Sequence, residues 1–385
     1  MRLSHAARVF PASGIRRMFE KAVMYDDAIN LCIGEPGFIT PKHVIDVGME
    51  YLEKGKTKYT PNAGIPPLRE AVAEKLNREN GIPCEGRKNI IITQGATQAL
   101  MLALITLADY GDEIIIPDPA WPDYLGQVYM ANAVPVMAKL TEENGFRMTA
   151  EVIEPLITPK TKVIMINSPS NPTGAMLDEE DLKRIAEMVK RHKVFIISDE
   201  PYERLVYDDN KHVSLGSFPG LEDYLVTINS LSKAYAMTGW RVGYACANEE
   251  IITNMIKLHE NMVAGVNEAF QMAAIHALKH ADADVERMRQ SYVKNRALVV
   301  DGLNRIKGFS CQEPQGAFYA FPNVKEIGGK SFDVADMILD KTHVVTSPGS
   351  AFGEAGEGYL RISYANDFES LEIALDRLAK TFGTK

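Results

Sequence analysis

The most informative segment of the chain is Asn229–Gly243, which reads Asn-Ser-Leu-Ser-Lys-Ala-Tyr-Ala-Met-Thr-Gly-Trp-Arg-Val-Gly. A strand-like segment, Leu225–Ile228, leads into it, and a second, Val242–Ala247, leads out of it. A lysine held by strand ends in a partly dry site has a lowered pKa, and its neutral amine forms a Schiff base with an aldehyde. Lys233 is therefore a candidate catalytic residue.

Hydroxyl and guanidinium groups flank this lysine. Ser230, Ser232 and Arg241 supply two hydroxyl donors and a fork of N–H groups, and that set suits a phosphate. An aldehyde that also carries a phosphate is pyridoxal phosphate (PLP). Isolated motif matches are hypotheses, so the residues alone leave open a surface lysine near a turn with an arginine in a salt bridge.

The composition narrows the class of protein. The chain has 385 residues, of which 46% are hydrophobic and 24% charged, as in an ordinary globular protein long enough for a large and a smaller domain. With a net charge of −9 we expect no nucleic-acid partner, because binding phosphates requires a basic face. The longest apolar run, Ala99–Ala108, is too short to cross a bilayer, and Met1–Phe10 lacks the apolar stretch of a secretory signal. We therefore expect no membrane association.

The cysteines and histidines are not spaced as metal ligands are. The eight histidines form no HExxH pattern and the four cysteines no CxxC pair. We expect buried free thiols in the reducing cytoplasm and no metal site. The cysteines are Cys32, Cys84, Cys246 and Cys311.

A short strand runs directly into a helix through small residues. The predicted strand Asn89–Thr93 is followed by Gly95, Ala96 and Thr97, and then by the apolar helix Gln98–Ala108. Small residues at such a junction expose the N–H groups of the helix start, where the helix dipole favours an anion. No lysine follows in P-loop spacing, so this is a weak phosphate site alone and a good partner for the serines and arginine above.

Three further side chains follow predicted strands. Trp121, Asn171 and Asp199 each lie at or just past a strand's carboxyl end, where open α/β sheets bind ligands. The Trp121 ring is suited to stack on a flat cofactor, and the Asp199 carboxylate is suited to pair with a protonated pyridine nitrogen. From the residues alone, the alternatives are a tryptophan that caps the sheet edge, an ordinary Asn-Pro turn, and a carboxylate in a helix cap or buried ion pair.

After the predicted helix Ala283–Ile306, strands and helices follow one another in mixed order, as in an α+β domain. Taken alone, Gly34 favours a turn glycine over a backbone that approaches a ligand closely. Tyr59 alone predicts an exposed tyrosine in a polar loop, and Arg361 an edge or acid-paired arginine on a strand. Further strands are predicted over Glu113–Pro117, Lys162–Asn167, Lys193–Ser198, Gly316–Phe321, Val344–Thr346 and Tyr359–Tyr364. Further helices are predicted over Ser13–Met24, His43–Leu52, from Asp178, and over Glu249–Ala264, Asn267–Lys279, Ala283–Ile306, Phe332–Asp340 and Phe368–Thr381.

Ser-Leu-Ser-Lys followed by Gly-Trp-Arg-Val-Gly-Tyr closely resembles the lysine signature of class I aminotransferases, which are fold-type I PLP enzymes. The resemblance covers nearly the whole chain and is closest to the branch of prokaryotic aspartate and aromatic aminotransferases. It implies an α/β PLP-transferase fold, with a large domain around a mostly parallel seven-stranded sheet and a smaller α+β domain. We predict an N-terminal arm over residues 1–43, the large domain over 44–280 and the small domain over 281–385. The family forms homodimers with shared active sites.

The resemblance also implies roles for the residues. Lys233 would hold PLP as an internal aldimine and move a proton between substrate and cofactor, while Asp199 keeps the ring nitrogen protonated. Tyr202 and Asn171 would bind the phenolate oxygen, and Trp121 would lie against the cofactor and the substrate. The phosphate would be held by Ser230, Ser232, Arg241, the Gly95–Thr97 junction and Tyr59 of the partner subunit.

The implied reaction is a ping-pong transfer of the amino group of an L-amino acid to a 2-oxo acid such as 2-oxoglutarate. Arg361, with Asn171 and the Gly34 backbone, would hold the substrate α-carboxylate. A subset of aspartate-preferring relatives carries a lysine at the position of Thr97, and here only Arg16 and Arg17 are obvious substitutes. We therefore expect broad activity on aspartate, aromatic and other neutral donors. A C–S β-lyase of the same fold and a non-catalytic aminotransferase-like regulator are the alternatives.

Overall fold

The strand that precedes Lys233 lies inside a seven-stranded sheet. The computed structural model of the chain describes residues 7–8 and 14–385, so most of Met1–Phe10 and the predicted helix start at Ser13 lie outside the described residues. The strands are β1 (Ile29–Asn30), β2 (Ile90–Thr93), β3 (Glu113–Asp118), β4 (Val134–Lys139), β5 (Thr161–Asn167), β6 (Phe195–Asp199), β7 (Leu225–Ser230), β8 (Gly243–Cys246), β9 (Tyr319–Ala320), β10 (Val344–Val345), β11 (Ser347–Pro348) and β12 (Leu360–Ser363).

Each helix predicted from the sequence is found within a few residues of its predicted range, whereas those over Pro66–Lys75, Gly86–Asn89, Asp123–Met130 and Ala150–Ile153 were not predicted. The helices are α1 (Gly14–Ala22), α2 (Lys42–Glu53), α3 (Pro66–Lys75), α4 (Gly86–Asn89), α5 (Ala96–Leu107), α6 (Asp123–Met130), α7 (Ala150–Ile153), α8 (Glu179–His192), α9 (Glu249–Val263), α10 (Glu268–His280), α11 (Asp282–Arg305), α12 (Ser331–Thr342) and α13 (Phe368–Phe382). Among the residues described, no helix combines the length and the hydrophobicity that a membrane span requires.

The large sheet has the order β2-β8-β7-β6-β5-β3-β4. Only β8 runs antiparallel to its neighbours, and every other pair is parallel, as the mostly parallel prediction required. Strands buried on both faces read as continuous apolar runs, which is why the Val163–Ile166 run forms a central strand. Parallel neighbours place their carboxyl ends at one edge, so the loops after β5, β6 and β7 meet there.

Helices cover both faces of this sheet. On one face, Ile114 and Ile116 of β3 pack in the same core as α5 and α9. On the other face, Ile115 packs in the core that contains the apolar stripe of α8. Helix α8 begins where the Asp178 side chain accepts a hydrogen bond from the Asp181 backbone N–H at 2.9 Å, and it ends in basic residues that favour the helix C-terminus.

Two small sheets bring the chain ends together. Strand β1 pairs in parallel with β10, and β12 lies antiparallel between β11 and β9. Strand β9 is shorter than the predicted Gly316–Phe321, because the Gly316 and Ala317 backbone N–H groups bind the carbonyls of Gly174 and Leu205 instead of a neighbouring strand. These contacts fix the segment before β9 against the end of the large sheet.

Candidate active site

A cavity of about 370 Å³ opens at the carboxyl ends of β5, β6 and β7. It is lined by residues from distant parts of the chain, from helix α1 to strand β12. Twelve of the residues predicted for the site line it: Gly34, Ala96, Thr97, Trp121, Asn171, Asp199, Tyr202, Ser230, Ser232, Lys233, Arg241 and Arg361. Gly95 caps α5 beside it, whereas Tyr59 does not line it.

Lys233 points its amine into this cavity. Its Nζ donates a hydrogen bond to the Gly34 carbonyl oxygen at 2.6 Å. Burial lowers the pKa of Lys233 to about 8, and the nearby Arg361 and Arg241 guanidinium groups act in the same direction. A lysine with this pKa holds a substantial neutral fraction near pH 8, which is the form that attacks an aldehyde.

Asp199 lies at the floor of the cavity and is buried. Its Oδ2 accepts a hydrogen bond from the Tyr124 hydroxyl at 2.5 Å, while its Oδ1 has no hydrogen-bond partner. Burial raises the pKa of Asp199 to about 7 even though Tyr124 and the Lys233 charge oppose the rise. A buried carboxylate oxygen without a donor is costly, so this atom fits a protonated ring nitrogen.

Tyr124 was not predicted. It lies in the first turn of α6, two residues after the Pro-Ala-Trp-Pro segment that drew attention to Trp121. The two rings meet edge to face, with centroids 5.5 Å apart. A tyrosine in an amphipathic helix carries no sequence signal of a hydrogen bond to a carboxylate 75 positions away.

Ser230, Ser232, Arg241 and the start of α5 form an anion cradle in the same cavity. The Ser230 hydroxyl donates to the Ser232 hydroxyl at 2.8 Å, and Arg241 donates to the Thr238 and Gln94 carbonyls at 2.8 and 3.2 Å. Gly95 has a φ of 81°, and a Cβ on it would lie 2.5 Å from the Arg241 Nη2. Only glycine therefore lets the guanidinium approach the start of α5, where free N–H groups favour a phosphate.

Arg361 forms the wall toward the substrate side. It is buried, and its Nη1 donates to the Asn171 Oδ1 at 3.0 Å while Nη2 donates to the Cys32 carbonyl. The guanidinium lies between the rings of Tyr319 and Phe352, at 4.6 and 4.7 Å from their centroids. Its Nε has no partner, so the fork retains a donor for a carboxylate.

Several cavity residues were missed from the sequence, among them Ile15, Ile33, Glu35, Asn167, Thr238 and Tyr319. Asn167 ends β5 and holds the following loop, because its Oδ1 accepts from the Asn171 backbone N–H at 2.8 Å. Thr238 donates to the Glu35 carboxylate at the cavity mouth. Asn167 and Thr238 are short polar residues at or beside turns and look like ordinary turn residues in the sequence, so only their proximity to the cavity reveals them.

A buried cluster behind β6 contains potential metal ligands from Glu200, Glu203 and His212. The Lys75 ammonium already pairs with Glu203, and Glu200 accepts hydrogen bonds from the Ser198 and Ser214 hydroxyls. The acidic charge is thus balanced by side chains of the chain itself, and the cluster helps to fix the segment that follows Asp199.

The unpartnered Asp199 oxygen, the anion cradle and the lowered pKa of Lys233 together fit PLP, so the fold and site define a PLP-dependent α/β enzyme. The chain belongs to the family described as aminotransferase class I and II, which it matches over residues 26–378. It is an enzyme that transfers amino groups, and its cofactor is PLP.

Full-length relatives agree with this assignment. The chain is 41% identical to an aspartate aminotransferase of Pyrococcus abyssi and 41% identical to aromatic-amino-acid aminotransferase 2 of Thermococcus litoralis, each over 100% of this chain and 99% of the relative. The structure of Thermus thermophilus aspartate aminotransferase with maleate superposes with a TM-score of 0.93 at 37% identity, covering 99% of this chain and 100% of that one. These matches support an aminotransferase, and not the lyase or the regulator considered above.

Proposed function

We propose that this aminotransferase accepts aromatic and other neutral L-amino acids at rates comparable to aspartate, with a 2-oxo acid such as 2-oxoglutarate as acceptor. The observation that carries this is the cation set of the cavity. Among the described residues that line it, the cations are Lys233, Arg241 and Arg361, and each has a task other than reading a side chain. A donor with a second carboxylate therefore finds no further lining cation to pair with.

The rest of the side-chain pocket supports the same preference. Thr97 lines the cavity at the position where some relatives have a lysine, and the apolar Ile15 and Ile33 also form part of the cavity wall. Arg17 pairs with Asp336 at 3.5 Å and lies over the Phe332 ring, at 5.2 Å from its centroid. Its neighbour on α1, Arg16, is exposed and does not line the cavity. An apolar side chain needs only such a wall, whereas a carboxylate loses water without compensation.

We assign the chain's own residues to the following roles. The Lys233 amine would hold the cofactor aldehyde and, once the donor's amino group has displaced it, would accept and return the proton at the substrate Cα. Asp199 holds the proton on the ring nitrogen, and the cradle beside Arg241 holds the phosphate. Arg361, aligned by Asn171, binds the α-carboxylate. When bound, PLP supplies an electron sink for the charge that forms at Cα.

We further propose that the active unit is a homodimer in which Tyr59 completes the partner's phosphate site. Tyr59 is 91% exposed and lies outside the cavity of its own chain. Ile39 and Met49 are also exposed, and exposed tyrosine and large apolar side chains are typical of subunit contacts. The arm (1–43), large (44–280) and small (281–385) domains stay our proposed division, and the free cysteines support a cytoplasmic location.

A donor panel tests the proposed specificity. We would measure kcat/KM for aspartate and phenylalanine with 2-oxoglutarate, in the wild type and in Thr97→Lys. The new ammonium should shift the ratio toward aspartate by roughly 1 to 3 kcal/mol, which is about 5- to 150-fold. Thr106→Lys is the matched control, since it adds the same charge to α5 away from the cavity and should leave the ratio unchanged. A wild type that prefers aspartate a thousandfold and ignores Thr97→Lys would refute the proposal.

A further inference from the structure

One buried contact in the cavity joins two tyrosines from different parts of the fold. The hydroxyls of Tyr202, which follows β6, and Tyr319, in β9, lie 2.9 Å apart, and both side chains are buried. Tyr319 also packs its hydroxyl against Gly34, where a Cβ would collide with it. No other polar partner of the Tyr319 hydroxyl is found among the described residues, so this hydrogen bond accounts for it.

The direction of this hydrogen bond follows from counting protons. Each hydroxyl has one proton to donate and two lone pairs. In the proposed function, Tyr202 donates its proton to the phenolate oxygen of the cofactor. The Tyr202 oxygen is then left only as an acceptor, and Tyr319 must donate to it.

We propose that Tyr319 is a positioning residue for the amino-transfer reaction: its hydroxyl orients the Tyr202 hydroxyl and strengthens the hydrogen bond from Tyr202 to the cofactor. Hydrogen bonds in a chain polarise one another in a dry site, by about 10–30% per bond. A donor to a charged oxygen shifts a pKa by roughly one to two units, so the contribution of Tyr319 is roughly 0.1 to 0.6 pH unit. The inference rests on the proposed function, because it takes Tyr202 as the phenolate donor.

The surroundings of Tyr319 explain why this position suits the task. Its ring lies under the Arg361 guanidinium, and it meets the Tyr202 ring edge to face with centroids 5.7 Å apart. The hydroxyl is therefore held from both sides and has little freedom to turn away. One side chain thus contacts a group assigned to the cofactor and a group assigned to the substrate carboxylate.

The test is a pH titration of the PLP-loaded protein, followed by the absorbance of the bound cofactor. A weaker donor to the phenolate raises the proton affinity of the cofactor system, so Tyr319→Phe should raise the titration midpoint by roughly 0.1 to 0.6 unit. Fluorotyrosine at position 319, fluorinated beside the hydroxyl, is a more acidic donor and should lower it. Tyr364→Phe is the matched control, because it removes an equally buried hydroxyl that does not line the cavity.

A double-mutant cycle separates this role from a purely structural one. In a Tyr202→Phe background, Tyr319→Phe should cause no further shift, because the hydroxyl through which it acts is gone. An unchanged midpoint in Tyr319→Phe, or an equal shift in the Tyr202→Phe background, would overturn the inference while leaving the proposed function intact. If Tyr319→Phe does not fold, the sign of the fluorotyrosine shift decides. A wild type that binds no PLP would overturn the proposed function and this inference with it.

Discussion

Removing the charge of Asp199 should stabilise the cofactor-free protein, although it removes a residue of the site. In the chain without PLP, Asp199 is buried with one oxygen unpartnered, and burial raises its pKa from 3.8 to about 7. Asp199→Asn has the same shape and keeps an oxygen for the Tyr124 hydroxyl. It has no charge to desolvate, so it avoids the cost that the ionised carboxylate imposes.

The magnitude follows from linkage between protonation and folding. Between pH 3.8 and about 7 the native protein binds this proton more tightly than the unfolded chain, so wild-type stability contributed by Asp199 falls as the pH rises. The slope approaches 1.36 kcal/mol per pH unit, and the interval from pH 5 to pH 7 is therefore worth about 2 to 3 kcal/mol. The asparagine does not titrate, so the stability of the variant relative to the wild type should rise by this amount from pH 5 to pH 7.

The assay is equilibrium urea unfolding of PLP-free wild type and Asp199→Asn at pH 5 and pH 7. Asp367→Asn is the control. Asp367 caps α13, and the Ser370 side chain holds its pKa below 3.8, so Asp367 does not titrate between pH 5 and pH 7 in the native or the unfolded state. The stability difference between Asp367→Asn and the wild type should therefore be the same at both pH values. The same measurement with PLP should reverse the ranking, because a protonated ring nitrogen pairs with the Asp199 charge and not with the neutral amide.

A stability difference between Asp199→Asn and wild type that stays constant from pH 5 to pH 7 would refute this reasoning. It would mean that water or a local rearrangement already solvates the Asp199 charge in the PLP-free protein. If PLP stabilises the wild type and Asp199→Asn equally, the pairing of Asp199 with the ring nitrogen is contradicted.

Three further predictions concern the other groups. Lys233→Ala should fold but stay colourless and inactive, and borohydride reduction of the yellow wild type should label one lysine peptide; a label elsewhere would refute the assignment. Arg361→Lys should lower kcat/KM about 10- to 150-fold for amino acids, because a point charge replaces a fork, and much less for amines without an α-carboxylate; equal losses for both would refute its role. Tyr59→Ala and Lys233→Ala should be nearly inactive alone but active when mixed as subunits, because one site per mixed dimer is complete; no recovery would argue against shared sites.

The lysine loop and its partners were predictable because their chemistry is local. The two serines just before Lys233, the glycine at the start of α5, and the carboxylate and amide at strand ends are signals within a few residues of chain. The apolar strands and amphipathic helices were likewise predictable one by one, since each carries its own burial pattern, whereas the mostly parallel seven-stranded sheet came from the resemblance. For Gly34, Tyr202 and Arg361 it was the resemblance to the family that placed them in the site, and all twelve residues do line one cavity.

Only the tertiary structure decided what completes those groups. Tyr124 reaches Asp199, and Tyr319 reaches Tyr202, across 75 and 117 positions of sequence, and no local pattern encodes either hydrogen bond. The start of β9 also depends on a distant acceptor: the Gly316 N–H binds the Gly174 carbonyl, so Gly316 lies outside the strand that the sequence predicted. Sequence patterns determine which groups are available and which faces are buried, whereas pairing and the pKa of a buried group depend on what the fold brings within a few ångströms.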